Sequence, residues 1–245
     1  MLEEIFKVRF HEMTTDRSVP VWIVQNYFQQ AAAMDAKNLS YGIEELFSNG
    51  IAWALIDIKF EILGEIKGVQ NVKVKTWHCF SDKIYSRRDF IVYDENGDEK
   101  IKGASSWVII DLAKRKIAKT PRSMLSRRIE PIANMEPAVL KPPPFEGKTP
   151  VTSIRIKTRL EDIDINNHVN NIHFTAWAFE GVPETVKQNN SLEEIAVNYK
   201  SEAIIGENIT VKTYDADNNS FYHILTRDSD GKEIALAYTL WSLSK

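Results

Sequence analysis

Cysteine is almost absent from this chain of 245 residues, and Cys79 is the only one. A lone thiol cannot form a disulfide within the chain, so no disulfide framework supports the fold and a reducing compartment is expected. The chain also lacks an excess of positive charge, since its formal net charge is −3 at pH 7. We therefore expect no nucleic-acid partner, because a general nucleic-acid binder carries a strongly basic face.

Long apolar runs are missing too. The first thirty residues are charged throughout and contain no apolar core of a secretory signal. Apolar runs such as residues 51–56 are far too short to cross a bilayer. With 43% hydrophobic and 27% charged residues the composition is that of a globular protein, and the length allows one large domain or two small ones. We predict a soluble, cytoplasmic protein that does not insert into a membrane.

The two halves of the chain resemble each other. The stretch "NVKVKTW" at 71–77 recurs as "NITVKTY" at 208–214, an offset of 137 residues. Each copy is followed by a hairpin signal that contains a tryptophan, at 94–110 and again at 228–244, with an offset of 134. Asn-Gly in the first hairpin and Asp-Gly in the second supply the positive-φ residues of a tight turn. Two matches in the same order indicate a duplication.

Each half also places one helix candidate before its strands. Apolar residues recur at helical spacing at Ile23, Tyr27, Ala31 and Met34 in the first half and at Ile172, Ala176 and Phe179 in the second. Pro20 suits the start of the first helix, and Gly181 and Pro183 suit the end of the second. The first helix has apolar or small residues on several faces, so a sheet should wrap around it. A helix followed by antiparallel strands, twice over, predicts an α+β fold.

The middle of the chain separates the two halves. The stretch "LKPPPFEGKTP" at 140–150 is too rich in proline for regular structure and is typical of a linker. We therefore place an N-terminal domain at 1–112, a linker at 113–150 and a C-terminal domain at 151–245. Within the linker, residues 114–128 hold seven Lys or Arg and no acid. Such a run is either a solvated face or a surface for an acidic partner.

The densest polar stretch is "DIDINNHVNNIHF" at 162–174, which begins like a calcium loop. An EF-hand loop needs glycine at its sixth position and glutamate at its twelfth, and here those positions hold Asn167 and His173. A zinc site lacks a suitably spaced His pair, and Cys79 has no companion thiol. We therefore predict neither a metal site nor a cofactor.

Two explanations of this stretch remain open from its chemistry alone, a helix cap and an active site. Capping accounts for one or two of the residues. It does not account for Asp164, Asn166 and His168 at alternate positions, which would face one side of an extended segment. Aligning Val169 with Val24 places the apolar "VPVWI" (19–23) opposite "DINNH" (164–168). Polar groups in only one copy favour a catalytic set, since a cap needed for folding should recur in both.

These residues also resemble a known family, the plant-type acyl-ACP thioesterases. The stretch "DIDINNHVNNIHFTAWAFEGVPE" is similar to the family's D-x-D-x-N-x-H-V-N-N signature, and "VNYKSEA" at 197–203 to a later motif of Tyr, two mostly basic residues and Glu. The segments "VKTW", "SRRDF" and "ASSW" of the first half are similar to family segments as well. The resemblance therefore runs from about residue 5 to the C-terminus.

The resemblance implies two tandem hotdog domains, each a curved antiparallel sheet wrapped around a central helix. It also implies hydrolysis of the thioester that joins a fatty acyl chain to acyl carrier protein. The family's catalytic residues would fall on Asp164, Asn166, His168 and Glu202. Members of the family often have a cysteine just after that glutamate, and here it is Ala203, which excludes a thiol mechanism. Ser201 replaces the second basic residue of the later motif.

For the reaction we expect a water molecule to attack the thioester carbonyl. Glu202, buried beside the acyl pocket, would act as the general base, directly or through His168. Asn166 and a backbone N–H at the start of the helix near Val169 would hold the oxyanion, and Asp164 would orient His168 and Asn166. A carboxylate nucleophile that gives a transient anhydride is the competing version. Glu202 is expected to have a first-half counterpart in Glu61.

Other roles are assigned more broadly. Trp53 and Trp107 are candidates to line the acyl pocket in the first domain, and Arg122, Arg127 and Arg128 are candidates to dock acyl carrier protein. Three alternatives to the acyl-ACP thioesterase remain: an acyl-CoA thioesterase, a dehydratase of 3-hydroxyacyl thioesters, and a non-catalytic acyl-binding module. The chain is expected to be a monomer or a homodimer.

Overall fold

A computed structural model describes residues 1–125, 135, 140–142, 144–145 and 147–243. The chain divides into two compact units, Met1–Pro137 and Ala138–Lys245. Each unit is described by itself below. The domain limits at 112 and 150 stay a prediction.

The first unit pairs an antiparallel sheet with a long helix. Its elements are β1 (Leu2–Lys7), a 3₁₀ turn (Phe10–Glu12), α1 (Val21–Asn38), α2 (Ile43–Ser48), β2 (Ile51–Ile62), β3 (Asn71–Ser81), β4 (Tyr85–Tyr93), β5 (Glu99–Asp111), β6 (Lys116–Ala118) and α3 (Arg122–Leu125). The strand order is β1-β3-β4-β5-β2, and the short β6 pairs with β5.

The helix α1 begins where the sequence predicts it. Pro20 is its N-cap residue, which suits proline because the first helical N–H groups have no acceptor inside the helix. The helix buries Phe28 completely between Phe60 and Phe90, whose ring centroids lie 5.3 and 4.2 Å away. Gly103 in β5 faces that ring, and a Cβ atom there would overlap it. The absence of a side chain at Gly103 therefore lets α1 approach the sheet.

The second unit repeats this plan with shorter helices. Its elements are β7 (Thr152–Lys157), a 3₁₀ turn (Leu160–Asp162), α4 (Asn171–Gly181), α5 (Glu184–Asn189), β8 (Asn190–Tyr199), β9 (Asn208–Asp215), β10 (Ser220–Arg227) and β11 (Lys232–Leu243). Within the unit the strand order is β8-β11-β10-β9-β7, with antiparallel pairing throughout. Both units thus show the helix-on-sheet arrangement of the predicted α+β hotdog fold.

The strand registers confirm the predicted repeat. Lys7 of β1 pairs with Asn71 of β3, and Lys157 of β7 pairs with Asn208 of β9, which preserves the offset of 137. Trp107 pairs with Leu55 beside an irregularity in register, and Trp241 pairs with Leu192 beside another. The segments before the helices follow a different offset of 150, so an insertion of 13 residues lies between β1 and β2 of the first unit.

The hairpin turns differ in one respect from the prediction. Gly97 and Gly231 have positive φ values of 87° and 68°, as expected. Asn96 and Asp230 do not, so each turn uses one left-handed residue and not the pair that a type I′ turn needs. The first loop is longer than a two-residue turn, because Asp94 closes it. The N–H of Asp94 donates to the carbonyl of Asp98, and the carbonyl of Asp94 accepts the N–H of Gly97.

Part of the predicted linker packs on the first unit. The strand β6 pairs with β5, and the side chain of Met135 is buried against Trp77, Cys79 and Ile91. Arg87 donates to the backbone carbonyl of Met135. In the described part of the chain, no helix combines the length and the apolar character that crossing a bilayer requires.

Candidate active site

The polar stretch folds as a tight turn, so the prediction of an extended segment is wrong. Asp164 donates its backbone N–H to the carbonyl of His168 at 2.8 Å, and Asn167 donates to the carbonyl of Asp164 at 3.1 Å. Asn167 adopts a left-handed φ of 61°, which asparagine tolerates better than most residues. The segment is closed at its base by a bridge between Ile163 and Val169. We call residues 164–168 the site turn.

Asp164 holds the site turn together. Its Oδ1 accepts the backbone N–H of Asn166 at 2.8 Å and that of His168 at 3.4 Å. Its Oδ2 accepts the side-chain amide of Asn166 at 3.4 Å. Asp164 therefore contacts the side chain of Asn166, but it contacts His168 through the backbone and not through the imidazole.

The imidazole of His168 meets Glu202 instead. The distance from His168 Nε2 to Glu202 Oε2 is 3.2 Å, which is hydrogen-bond range. The two side chains are 32% and 54% exposed, so the expectation that Glu202 is buried is wrong. The structure thus brings together His168 and Glu202, which are far apart in the sequence. Asp164 and Asn166 lie in the same turn as His168.

Glu202 lies in an irregular segment just beyond β8. On either side of it, Ser201 donates its N–H to the carbonyl of Ile234 at 3.1 Å, and Ala203 accepts the N–H of Val169 at 2.8 Å. The N–H of Val169 is therefore occupied and is not available to an oxyanion. The helix α4 begins at Asn171, with Asn170 as N-cap, so the helix-start donor moves to Asn171, whose N–H has no acceptor inside the helix.

The first unit contains a turn of the same form. Thr14 donates its N–H to the carbonyl of Ser18 at 2.9 Å, Arg17 donates to the carbonyl of Thr14 at 2.9 Å, and Arg17 has a φ of 66°. Val19 then donates to the carbonyl of Ile66 as Val169 donates to that of Ala203. Ser18 therefore corresponds to His168, and Val169 aligns with Val19 and not with Val24.

This alignment overturns one argument from the sequence. The counterpart of the site turn is the polar "TTDRS" at 14–18, not the apolar "VPVWI" at 19–23. The Asp16 carboxylate accepts hydrogen bonds within that turn from Thr14 and Ser18. A polar turn is thus common to both halves, and what the second half adds is the imidazole of His168.

The counterpart of Glu202 is Glu65, and the assignment to Glu61 is wrong. Leu63 and Gly64 donate to the carbonyl of Lys100 just as Lys200 and Ser201 donate to that of Ile234, which fixes the register of the segment. Glu65 pairs with Lys67 at 2.7 Å. A glutamate recurs at this place in both halves, and it faces an imidazole only in the second.

Sequence reasoning missed a second carboxylate–imidazole contact. Asp162 is buried, accepts the backbone N–H of Arg159 at 2.7 Å, and lies 3.4 Å from His173 Nδ1. Burial lowers the pKa of His173 and the Asp162 carboxylate opposes that effect. In the first unit Glu12 holds the same position and accepts from the hydroxyl of Tyr27 at 2.7 Å. A buried acid that ties the 3₁₀ turn to the helix is therefore a feature of both units.

The residues around the site offer neither a thiol nor a metal cluster. Ala203 is buried at the position where the family often has cysteine. Cys79 is buried in the first unit, and burial raises the pKa of its thiol to about 12. Among the described residues no group of three or more His, Cys, Asp or Glu is placed to hold a metal ion.

The two tryptophans predicted to line the acyl pocket are in contact in the first unit. Trp53 and Trp107 lie edge to face, with ring centroids 6.4 Å apart. Trp53 lines a small cavity whose described walls do not include Trp107; they are formed by Ala36, Leu39, Tyr41, Trp53, His78, Arg88 and Met124. Of the predicted docking residues, Arg122 is exposed at the start of α3, while Arg127 and Arg128 lie outside the described residues.

Comparison with known proteins places the chain in a family. The family model of the acyl-ACP thioesterase N-terminal domain matches residues 1–127, and that of the C-terminal domain matches residues 146–243. A palmitoyl-acyl carrier protein thioesterase of Cuphea hookeriana is 29% identical over 257 residues, which cover 96% of this chain and 61% of that protein. The chain therefore spans less than two thirds of that relative's length.

Solved structures share the fold of the whole chain. A 12:0-ACP thioesterase from Umbellularia californica superposes with a TM-score of 0.86 at 23% identity and covers 99% of this chain and 97% of its own. An acyl-ACP thioesterase from Bacteroides thetaiotaomicron gives a TM-score of 0.85 at 20% identity, with 98% and 97% coverage. With a fold that matches these enzymes and family models that match both halves, the chain belongs to the acyl-ACP thioesterase family.

Proposed function

We propose that this protein hydrolyses the thioester bond between a fatty acyl chain and acyl carrier protein. The observation that carries the proposal is the contact of 3.2 Å between His168 Nε2 and the Glu202 carboxylate. His168 is the last residue of the site turn, in a chain that belongs to the acyl-ACP thioesterase family. A carboxylate paired with an imidazole can take a proton from water and later return it to a leaving group, which is what thioester hydrolysis requires.

The proposed reaction begins with a water molecule that gives up a proton to the His168–Glu202 pair. The water oxygen adds to the thioester carbonyl carbon, and the negative charge develops on the carbonyl oxygen. The side-chain amide of Asn166 and the N–H of Asn171 are the donors proposed to stabilise that charge. The C–S bond then breaks, the thiolate takes the proton from the pair, and the free fatty acid leaves.

A carboxylate nucleophile is the competing proposal. Asp164 is poorly suited to that role, because Oδ1 accepts two backbone N–H groups and Oδ2 an amide. Hydrogen bonds of this kind stabilise a carboxylate and reduce its nucleophilicity. A single turnover in water labelled with oxygen-18 distinguishes the two routes. We expect label in the fatty acid and none in the enzyme, and label in an enzyme carboxylate would favour the anhydride route.

The substrate and the partner are part of the same proposal. The relative from Cuphea hookeriana is named a palmitoyl-acyl carrier protein thioesterase, and we propose acyl carrier protein as the partner here. We place the acyl chain in the first unit, where Trp53 lines a cavity. A Trp53→Ala variant tests that placement, since a larger cavity should shift activity toward longer chains. A cytoplasmic location is also a proposal, which cell fractionation tests.

The decisive experiment is an assay of fatty acid release from acyl carrier protein loaded with acyl chains of graded length. We expect free fatty acid as the product, and kcat should fall by roughly 10²- to 10⁴-fold in His168→Ala and in Glu202→Gln. In a parallel assay with a 3-hydroxyacyl thioester, loss of water to give an enoyl thioester, with no free acid from either substrate, would indicate the dehydratase. Full activity of both variants would contradict the assigned site.

The duplication supplies matched controls. Ser18→Ala and Glu65→Gln change the equivalent positions of the first unit, where a serine stands in place of the imidazole. Both control variants should keep kcat within about two-fold of wild type. The loss of a hydrogen bond or an ion pair at an exposed position has only a small effect on stability. A loss in the controls equal to that in His168→Ala and Glu202→Gln would mean that folding, and not chemistry, is being measured.

A further inference from the structure

The segment that carries Glu202 is held by a residue that the proposed reaction does not use. Arg227, the last residue of β10, donates from Nη1 to the backbone carbonyl of Glu202 at 3.1 Å. Its side chain is only 18% exposed although it carries a charge. An arginine side chain that is this little exposed normally has several hydrogen-bond partners, because its guanidinium has five N–H donors.

Those partners fix the direction of the guanidinium. Asp230 accepts from Arg227 Nε at 3.0 Å and from Nη2 at 2.7 Å, which is a two-point contact across the hairpin turn. Glu207 Oε1 lies 3.7 Å from the same Nε. A two-point contact between arginine and carboxylate fixes geometry as well as charge, so Nη1 is aimed at the carbonyl of Glu202.

Glu207 holds the other end of the segment that carries Glu202. Its Oε2 accepts the N–H of Ile204 at 2.9 Å, and its own N–H donates to the hydroxyl of Thr158 at 2.9 Å. Glu202 therefore lies between Ser201, bonded to β11, and residues tied to Thr158. Since residues 200–204 are outside any strand, a sheet ladder does not set the peptide that carries the Glu202 side chain.

The first unit shows that this anchor is not needed for the fold. The registers of β3, β4 and β5 place Asp94 at the position of Arg227, and Asp94 pairs with Lys100 at 3.2 Å. Gln70 takes the position of Glu207, since the backbone carbonyl of each accepts the N–H of the residue that follows the first strand of its unit. The first half, which has Ser18 and no imidazole at the position of His168, thus carries an acid where the second half carries an arginine.

We propose that Arg227, braced by Asp230, is a positioning residue that sets the Glu202 carboxylate against His168. Glu202 is half exposed and its chain segment is irregular, so its contact with His168 depends on how the backbone of that segment is held. The inference rests on the proposed role of Glu202 in catalysis. It predicts that loss of Arg227 lowers the rate of the chemical step and leaves substrate binding nearly unchanged.

The test compares Arg227→Met with Arg155→Met as a matched control. Arg155 is also an arginine of the second unit, and it pairs with Asp228, the neighbour of Arg227, at 2.6 Å. We expect Arg227→Met to lower kcat by roughly 10- to 100-fold with KM within about two-fold, because a displacement of about 1 Å is costly in catalysis. Arg155→Met should leave both constants near wild type at a similar melting temperature.

Two further variants guard against a folding defect. Arg227→Lys keeps one donor for the Glu202 carbonyl and loses the two-point contact, so we expect part of kcat to return. Asp230→Asn keeps the arginine and weakens its brace, so a smaller fall in kcat is expected. Unchanged kcat in Arg227→Met, or a fall caused entirely by unfolded protein, overturns the proposal.

A double variant tests whether Arg227 acts through Glu202. In the Glu202→Gln background, Arg227→Met should lower kcat by less than about two-fold further. The effects of two substitutions are not additive when the two residues act as one unit. The same fold-loss in both backgrounds would overturn the positioning role while leaving Glu202 as a catalytic residue. Wild-type activity of Glu202→Gln alone would instead overturn the proposed role of Glu202 and the role of Arg227 with it.

Discussion

His223 is a histidine that lies fully inside the second unit, in β10. Its Nδ1 is 3.0 Å from the hydroxyl of Thr213, and its Nε2 is 3.0 Å from the hydroxyl of Thr239. A neutral imidazole has one donor and one acceptor, and two hydroxyl groups satisfy both. Burial lowers the pKa of His223 from 6.5 to about 3. The residue therefore contributes to stability and not to proton transfer.

This burial predicts a dependence of stability on pH. The unfolded chain binds a proton at His223 below about pH 6.5, and the folded chain does so only near pH 3. The stability linked to this group is therefore fully present above pH 6.5 and is lost as pH falls from 6.5 toward 3. His223→Gln, which keeps a donor and an acceptor, should remove that dependence.

The measurement is the free energy of unfolding at pH 7 and at pH 5. Wild type should lose roughly 2 kcal/mol more than His223→Gln between these two values. Each protein serves as its own reference at pH 7, so a uniform loss of packing in the variant does not affect the result. Equal slopes in the two proteins would contradict the neutral state of His223 in the fold.

Single residues of the candidate site were identifiable from the sequence, but their contacts were not. The signature around Asp164, Asn166 and His168 resembles a family motif, which is why those positions stood out. The contact of His168 with Glu202 depends on how the segment after β8 folds back, and nothing in the local pattern reports it. Arg227 gave no signal, because an arginine three residues before an aspartate in a hairpin is most simply a surface pair.

At the scale of elements, the site turn depends on Asn167. A β-branched residue in the left-handed region is disfavoured by about 1–2 kcal/mol, whereas glycine adopts it freely. Asn167→Val should therefore distort the turn next to His168 and lower kcat about 10-fold or more. Asn167→Gly should keep kcat close to wild type.

The turn of the first unit again provides the control. Arg17→Val introduces the same backbone strain at a φ of 66°. We expect similar falls in melting temperature for Arg17→Val and Asn167→Val, and a fall in kcat only for Asn167→Val. Steady-state kinetics and thermal unfolding of the two variants check this, and equal kinetic losses would show that the turns affect activity only through stability.

The elements themselves were largely predictable, and the error lay in aligning them. The strand motifs and hairpin glycines gave the correct offsets, because period-two patterns and turns fix register locally. The helices did not, because apolar spacing every three or four residues fits several shifts equally well. The extra residues of the first unit lie in this helical part, so Val169 was matched to Val24 and the polar counterpart of the site turn was missed.

At the scale of the whole molecule, the duplication explains how one half can carry chemistry without altering the fold. Both units share the polar turn, the buried acid before the helix and the glutamate after the first long strand. The second unit differs by His168 in place of Ser18 and Arg227 in place of Asp94. The candidate site is thus a small set of substitutions on a repeated framework, which agrees with the view that function is added to a fold.

The remaining prediction at this scale concerns the partner. The run at 114–128 has an excess of positive charge, and an acidic carrier protein would be attracted to it. Reversing Arg127 and Arg128 to glutamate should raise KM for acyl-ACP by about 10-fold or more, because two charges that attract an acidic carrier are replaced by two that repel it. The kcat and KM for a short acyl-CoA should barely change, since that substrate has no carrier protein to dock.

The salt dependence of KM distinguishes a loss of carrier docking from a general loss of activity. If charge attraction holds the carrier, KM of the wild-type protein for acyl-ACP should rise between about 0.05 and 0.3 M salt, because the Debye length shortens. The reversed variant should show a flat or falling KM over the same range, since screening now weakens a repulsion. Equal effects of the two substitutions on acyl-ACP and acyl-CoA would contradict a docking role and leave the run as a solvated face.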